Sequence, residues 1–533
     1  MPTLDWIGKK AVINHHNQAP FHLLKEVPEF SVGEPGSGNL IVEGDNLLAL
    51  KALLPYYAGR VNCIYIDPPY NTGNEGWIYN DNVNSPEIRE WLGKTVGGQA
   101  TDLSRHDKWL CMMYPRLSLL KEFLNETGSI WVSMDDSEIS LLRLLMDEIF
   151  GKDRFIACIV WQKRYSRENR EAIGDVHEFI LVYAKNPESF KRARNLVPPD
   201  EVQSRVYKNS NNDPKGRWRG IPMTAQGYRP NQMYEIVTPA GVVHKPPEGR
   251  CWSMIESEFK KLIEEGRIYF GKNQRSQPSV IRYLSEVEGF VPWTWWPHDE
   301  VGHTDEAKKE IRAIFGTQTA FETPKPVRLI QRIVQIATKP GDLILDSFAG
   351  SGTTGHAVMQ LNKQENSNRR FILVEMDPDI CRKVTSERLR KVCSGYEKSD
   401  GAKVEKLGGG FRFCKLGAAC FDEHGRVNPE VKFSDLARHV FFTETGEPIP
   451  KQVRANNPLI GIYKETAIYL LYNGILKDKR IDGGNVLTQA VLDELPKHDG
   501  PKIIYGEACR FGPTRLKREN IIFKQIPYQI KIH

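Results

Sequence analysis

The sequence predicts an α/β protein built on a doubly wound, mostly parallel sheet, with a loop-rich module inserted into it and an α+β region after it. Three observations carry this expectation. Short, nearly continuous apolar runs at 61–66 (VNCIYI), 129–133 (SIWVS), 178–183 (EFILVY), 342–346 (DLILD) and 371–375 (FILVE) read as strands covered on both faces. Between them, 107–124 and 137–149 space their apolar residues three and four apart, as amphipathic helices do. The run at 342–346 then passes straight into a glycine-rich turn, DSFAGSGTTG, with a helix expected from about Thr353. Strand–turn–helix units of this kind hold ligands at the carboxyl edge of open α/β sheets.

In chain order, 1–37 reads as an N-terminal arm and 38–190 as the first part of the sheet domain. From 191 to 320 the rhythm breaks: Pro, Gly, Arg and Trp cluster in GRWRG, TPAGVVHKPPEGRCW and VPWTWWP, and helical periodicity fades. The alternation resumes over 321–416, beginning FETPKPVRLIQRIVQIATKPGDLILD. Residues 417–533 mix helix-like and strand-like pieces without a legible motif.

Composition narrows the function classes. A chain of 533 residues buries ample core in roughly two to four domains, so no disulfide or metal staple is required. No apolar run approaches the ~18 residues of a membrane helix, and MPTLDWIGKKAVINHH lacks the apolar stretch of a secretory signal. Nine cysteines, odd in number and without a CxxC pair, fit reduced thiols in the cytoplasm. His298 and His303 have no partner set for a metal, and none is expected. The net charge of +6 is concentrated: 191–230 holds nine basic residues against three acidic ones, with Tyr207, Trp218 and Tyr228 among them. That mixture suits a surface following phosphates, with Lys215, Arg217, Trp218 and Arg219 as candidate contacts. Trp293, Trp295 and Trp296 are expected to be core aromatics in preference to base wedges.

Two segments carry chemistry. In the glycine turn, Gly350, Gly352 and Gly355 satisfy GxGxxG, and Glu375 ends the next strand. His356 and Ala357 occupy the places where a phosphate loop needs Lys and Ser or Thr, which argues against a nucleotide triphosphatase. A nicotinamide dinucleotide and S-adenosylmethionine both remain open here. Asp346 at the strand end favours the second, because a carboxylate suits a sulfonium and an ammonium and repels a pyrophosphate.

The other segment is VNCIYIDPPYNTG (61–73). Asp67 ends a strand, Pro68 and Pro69 fix the backbone and offer only acceptors, and Tyr70 follows with a π-face. This fits methylation of an aromatic amine, whose lone pair is delocalised into its ring. Asp67 and the Pro68 carbonyl would each accept one amino hydrogen, localising the lone pair and aiming it at a methyl donor. A base in a duplex reaches such a pocket only when flipped out.

At these residues the sequence resembles the DNA amino-methyltransferases of the permuted β group, in which DPPY precedes the S-adenosylmethionine motif, as 67–70 precede 346–355 here. EGDNLLALKALLPYYAGRVNCIYIDPPYNTGN, KWLCMMYPRLSLL, GSIWVSMDDSE, WQKR and FETPKPVRLI also follow in the expected order, and DPPYNTGN with GGGFRFCKL is similar to the Mod subunits of type III restriction–modification systems. The resemblance implies a Rossmann-like methyltransferase sheet, with Asp67, Pro68, Pro69 and Tyr70 forming the target-base pocket. It implies a cofactor site of Asp346, Phe348, Gly350, Gly352 and Glu375, with Asp45 near the adenine and Thr323 and Lys325 at the methionine end. It makes 191–320 the target-recognition module and adenine N6 the target, with cytosine N4 as the alternative. The implied partners are double-stranded DNA, a second copy of the chain and a helicase–nuclease restriction subunit. Two other classes stay in view: a nicotinamide oxidoreductase, and a DNA-binding specificity subunit active only in a complex.

Overall fold

The computed structural model describes residues 4–33, 38–71, 94, 104–166, 172–198, 204–209, 212–316, 321–421, 427–447, 449, 457–472 and 485–526. They form two compact units, one of residues 1–195 with 293–533 and the other of Leu196–Pro292. The second unit is shorter than the 191–320 module expected, because the described residues 293–316 group with the larger unit.

The larger unit is organised by β1 (His22–Glu26), β2 (Leu40–Glu43), β3 (Val61–Ile66), β4 (Leu124–Met134), β5 (Phe155–Gln162), β6 (His177–Ala184), β7 (Trp295–Trp296), β8 (Leu343–Asp346), β9 (Arg370–Glu375) and β10 (Arg412–Ala419). They form one sheet in the order β1-β10-β2-β9-β8-β3-β4-β6-β5-β7. From β10 to β4 every pair is parallel. β6 then pairs antiparallel with both β4 and β5, and β1 closes the other edge antiparallel to β10. The expected strands are all present, but 178–183 is not parallel to its neighbours. A buried apolar run is compatible with either direction, so periodicity alone does not fix it.

Helices cover the sheet because their sequences leave few polar positions to face water. α1 (Asn46–Tyr57) and α2 (Arg105–Phe123) bury Leu50, Leu53, Trp109, Met113, Leu117 and Leu120 in one core with Val61, Ile64, Ile130 and Leu345. α3 (Ile139–Ile149) adds Leu142, Leu145 and Met146 to it. α4 (Val327–Ala337), α5 (Thr353–Glu365) and α6 (Glu387–Ser394) follow in the second half. Gly355 lies in α5 where an added Cβ would stand 2.8 Å from Leu389 Cδ1, so a larger residue there would push the Leu389 side chain aside. Trp296 is buried and stacks on Trp131, whereas Trp293 and Trp295 are each 45% exposed, so only one of the three expected core tryptophans is core.

Beyond β10, α7 (Phe433–Thr445) packs Leu436, Val440 and Phe441 against a second core. A separate sheet of β11 (Leu459–Tyr463), β12 (Thr466–Leu470), β13 (Lys502–Gly506) and β14 (Ile521–Gln525) completes this region as α+β. All nine cysteines are free thiols, and no helix among the described residues is long and apolar enough to cross a membrane.

The Leu196–Pro292 unit is less loop-rich than expected. Strand Ser279–Tyr283 lies between Trp218–Pro222 and Ile268–Tyr269, two further strand pairs are short, and one helix spans Glu256–Glu264. Its small cores gather Met223, Ile236, Trp252, Phe259 and Phe270, and separately Trp218, Ile281 and Tyr283.

Candidate active site

Asp67 and Asp346 stand at the carboxyl ends of β3 and β8. These strands are neighbours in the sheet, although 279 positions separate the two residues in the chain. Sheet order therefore brings the DPPY tip and the glycine turn to one edge, where both line a single cleft of about 330 Å³. Asp67, Pro68, Pro69, Tyr70, Thr323, Lys325, Asp346, Phe348, Gly350 and Glu375 all face it.

The glycine turn is held from within. The Phe348 amide donates to Asp346 Oδ1 at 3.0 Å, and Thr354 Oγ1 donates to Oδ2 at 2.5 Å. The Gly350 amide donates to Glu375 Oε2 at 2.8 Å, and the Asp377 amide to Oε1 at 3.0 Å. The Ala349 and Gly352 amides go to the Val374 and Ala349 carbonyls. Gly350 and Gly352 both take left-handed backbone angles, φ 49° and 76°, which only glycine adopts without strain. Burial pushes the Asp346 carboxyl up to about 7, with Asp67 and Glu375 nearby adding to the rise.

Four turn amides are engaged inside the protein, which leaves fewer N–H donors for a dinucleotide pyrophosphate at this position. Six carboxylates line the cleft, Asp67, Asp135, Glu178, Asp346, Glu375 and Asp377, together with the cations Arg116, Lys163, Arg164 and Lys325. This donor set fits a ligand with a sulfonium, an ammonium and a ribose diol, and no phosphate.

At the DPPY end, Lys325 Nζ donates to both oxygens of Asp67 at 2.7 Å. The Tyr70 hydroxyl lies 2.9 Å from Asp67 Oδ1 and 3.0 Å from Glu178 Oε2, so its one proton serves either carboxylate. Glu178 Oε2 is also 3.6 Å from Lys325 Nζ, and Lys163 Nζ is 3.6 Å from Glu178 Oε1. Burial raises the Asp67 carboxyl above its ordinary range, and the Lys325 ammonium pulls it back. Trp109 Nε1 donates to the Pro69 carbonyl at 2.7 Å, which pins the Pro-Pro turn to α2.

The DNA methylase family model matches residues 61–386, well over half of the chain. The chain belongs to this family. Among curated relatives of this DNA methylase, the type III restriction–modification enzyme StyLTI Mod subunit of Salmonella typhimurium is 35% identical over 76% of the chain and 62% of the relative. The EcoPI Mod subunit of Escherichia phage P1 is 32% identical over 83% and 74%, and the EcoP15I Mod subunit of Escherichia coli 29% identical over 77% and 72%. The chain thus spans less than two thirds of the length of the StyLTI subunit.

Several residues of the methylase do something other than the sequence implied. Asp45 is absent from the cleft lining; it caps α1 through the Leu48 amide and pairs with Arg116 at 2.9 Å. Its neighbour Asn46 lines the cleft instead, bonded to the Arg116 guanidinium and to the Ser347 carbonyl. Lys325 reaches the cleft, but its ammonium holds Asp67 and does not stand apart for a cofactor carboxylate. Gly352 shapes the turn without lining the cleft. In the smaller unit, Trp218 is 5% exposed and packs with Ile281 and Tyr283, so its ring is core and not a DNA contact. Lys215 and Arg217 are exposed and Arg219 half-buried. The His298 ring bonds to Gln162, His303 caps the helix Thr304–Phe315, and no metal-holding cluster occurs among the described residues.

Sequence reasoning missed Glu178 and Lys163. Because β6 runs antiparallel, its first residues lie beside the last of β4, with Phe179 opposite Met134. Lys163 follows β5, whose end pairs with the start of β6. The antiparallel course of β6 brings Glu178 to the cleft edge, where a parallel reading puts it at the opposite one; Lys163 follows the carboxyl end of β5, which runs in the same direction as β4.

Proposed function

We propose that this chain transfers a methyl group from S-adenosylmethionine to the exocyclic N6 amine of adenine flipped out of duplex DNA. In this reading it is the modification and recognition subunit of a type III restriction–modification system. The observation that carries the reading is the shared cleft of Asp67-Pro68-Pro69-Tyr70 and Asp346–Glu375 on adjacent strands. Bound there, S-adenosylmethionine would supply an electrophilic methyl group. Glu375, fixed by two amides, is the acceptor suited to the ribose hydroxyls, and Asp346 faces the cationic end.

The protein's part is orientation and charge. Asp67 accepts one amino hydrogen and the Pro68 carbonyl the other, so the nitrogen lone pair points across the cleft. Lys325 opposes the burial that raises Asp67 and so favours its ionised form, the stronger acceptor. Tyr70 covers the base while its hydroxyl bridges Asp67 and Glu178. The proton displaced from the alkylated amine passes to Asp67 or to water.

The similarity to Mod subunits supports DNA as substrate and a restriction subunit as partner, and the sequence resemblance adds a homodimer. Sequencing DNA from cells expressing this chain alone, with detection of modified bases, tests the reading: N6-methyladenine at one asymmetric site is expected. N4-methylcytosine would replace the target, and unmodified DNA alongside methylation in the presence of a restriction subunit would make the chain a dependent specificity subunit.

A further inference from the structure

The two strands at the centre of the smaller unit place Arg219 directly opposite Arg282, as register partners of an antiparallel pair. Side chains of register partners project from the same face, and like charges there are destabilising. Nothing nearby offsets this pair. Among the described residues neither arginine forms an ion pair, and Arg219 Nε is buried without a hydrogen-bond partner. The adjacent acids are committed elsewhere: Asp213 accepts from the Tyr283 hydroxyl at 2.9 Å, and Glu286 holds Arg267 at 2.5 and 2.7 Å.

The Arg219 guanidinium is also oriented in advance, lying over the buried Tyr207 ring at 5.1 Å from its centroid. Stacking of this kind reduces the freedom the side chain loses on binding an anion. Arg282 is exposed beside it, and Arg217, also exposed, precedes the same strand by one residue. Two guanidinium groups at facing register positions match one oxyanion with several acceptor oxygens.

We propose that Arg219 and Arg282 form a backbone-phosphate clamp, a site for a DNA phosphodiester on the face of this sheet. The site rests on the DNA-methylase reading above and assigns to it two residues that position the duplex without reading bases. Arg282 lies outside the basic stretch 191–230, so charge clustering along the sequence did not reveal it.

The test is equilibrium DNA binding by the full chain from 50 to 300 mM salt, using a duplex carrying the methylated site and a scrambled duplex. Each arginine removed should flatten the slope of log K against log salt by about 0.9, the release expected for one phosphate contact. Arg219→Ala and Arg282→Ala should weaken both duplexes equally. Arg282→Lys should keep the slope and lose affinity, because the charge remains and the fork is gone. A melting curve of Arg282→Ala matching wild type shows that folding is intact, as expected for a side chain with no internal partner.

Unchanged slopes in both alanine variants overturn the clamp, and so does a loss confined to the cognate duplex, which would make these arginines base readers. Those outcomes leave the methylase reading standing. Failure of the wild-type chain to bind or methylate DNA at any salt would remove that reading and the clamp with it.

Discussion

Replacing Lys325 by Met tests the most heavily charged part of the cleft. The ammonium stands 2.7 Å from both oxygens of Asp67 and 3.6 Å from Glu178, with side-chain exposures of 11%, 22% and 11%. At an effective dielectric near 20, one pair at this distance is worth roughly 6 kcal/mol, against a desolvation cost of several kcal/mol for each ion. The intact pair therefore adds little net stability. Removing only the cation is different, because Asp67 then loses its counter-charge beside Glu178, which keeps only Lys163 at 3.6 Å. Breaking a buried pair in this way costs about 3–5 kcal/mol.

The sign of the pH effect follows from the direction at Asp67, which burial already raises and which loses its main opposing influence in the variant. A carboxyl raised in the folded state stabilises the fold while protonated and loses that contribution as pH rises through the raised value. Lys325→Met should therefore melt well below wild type at pH 8 and recover toward it near pH 5.5. Asp67→Asn introduced into that background should restore much of the loss, since it removes one of the stranded charges. Methyl transfer by Lys325→Met should fall first on the acidic side, because protonation makes Asp67 a weaker acceptor than the carboxylate. Differential scanning calorimetry across pH, with a methyl-transfer assay on the same samples, measures both. A variant that melts like wild type at pH 8, with no recovery in the double variant, would refute the argument that the pair neutralises a buried cluster.

Asp67→Ala should reduce methyl transfer by about 10²–10⁴-fold while leaving S-adenosylmethionine affinity by calorimetry nearly unchanged, since the residue acts on the amine. Because Asp346 is pushed up to about 7, S-adenosylmethionine affinity should rise as pH increases through that value, and in Asp346→Asn the dependence should flatten. Glu375→Ala should weaken cofactor binding roughly 10- to 100-fold, about 1–3 kcal/mol, by removing the acceptor fixed by the Gly350 and Asp377 amides. Trp218→Ala should destabilise the smaller unit by about 3–5 kcal/mol and leave the salt dependence of DNA binding in place, as expected of a core side chain.

The strands that build the cleft were legible because their apolar runs are continuous and end in Asp67, Asp346 and Glu375, whose charge marks the sheet edge. The GxGxxG turn was legible too, but its ligand was ambiguous in one dimension. What separates a dinucleotide from S-adenosylmethionine is where the turn amides point, and Gly350 donating to Glu375 is a contact across 25 positions. Glu178 was hidden by strand direction, which local pattern does not encode. Asp45 was harder to read because an acid at a helix start has two uses, capping and ligand contact, and the structure shows the first, with Arg116 on α2 as its partner. Trp218 looked like a DNA contact because it sits among arginines, yet alternation along its strand sends the ring inward and the Arg219 side chain to the other face.

The direct pairing of β3 with β8 has a consequence for turnover. Hydrogen-bonded neighbours in a sheet sit roughly 4.8 Å apart and do not slide without local unfolding. Asp67 and Asp346, proposed above to meet the acceptor amine and the methyl donor, thus ride on a ladder of fixed rungs. On the methyl-transfer reading proposed above, such a scaffold makes the nucleic acid the moving part: the base swings in and out while the enzyme's ruler stays put, and the slow events of the cycle fall to unstacking and release.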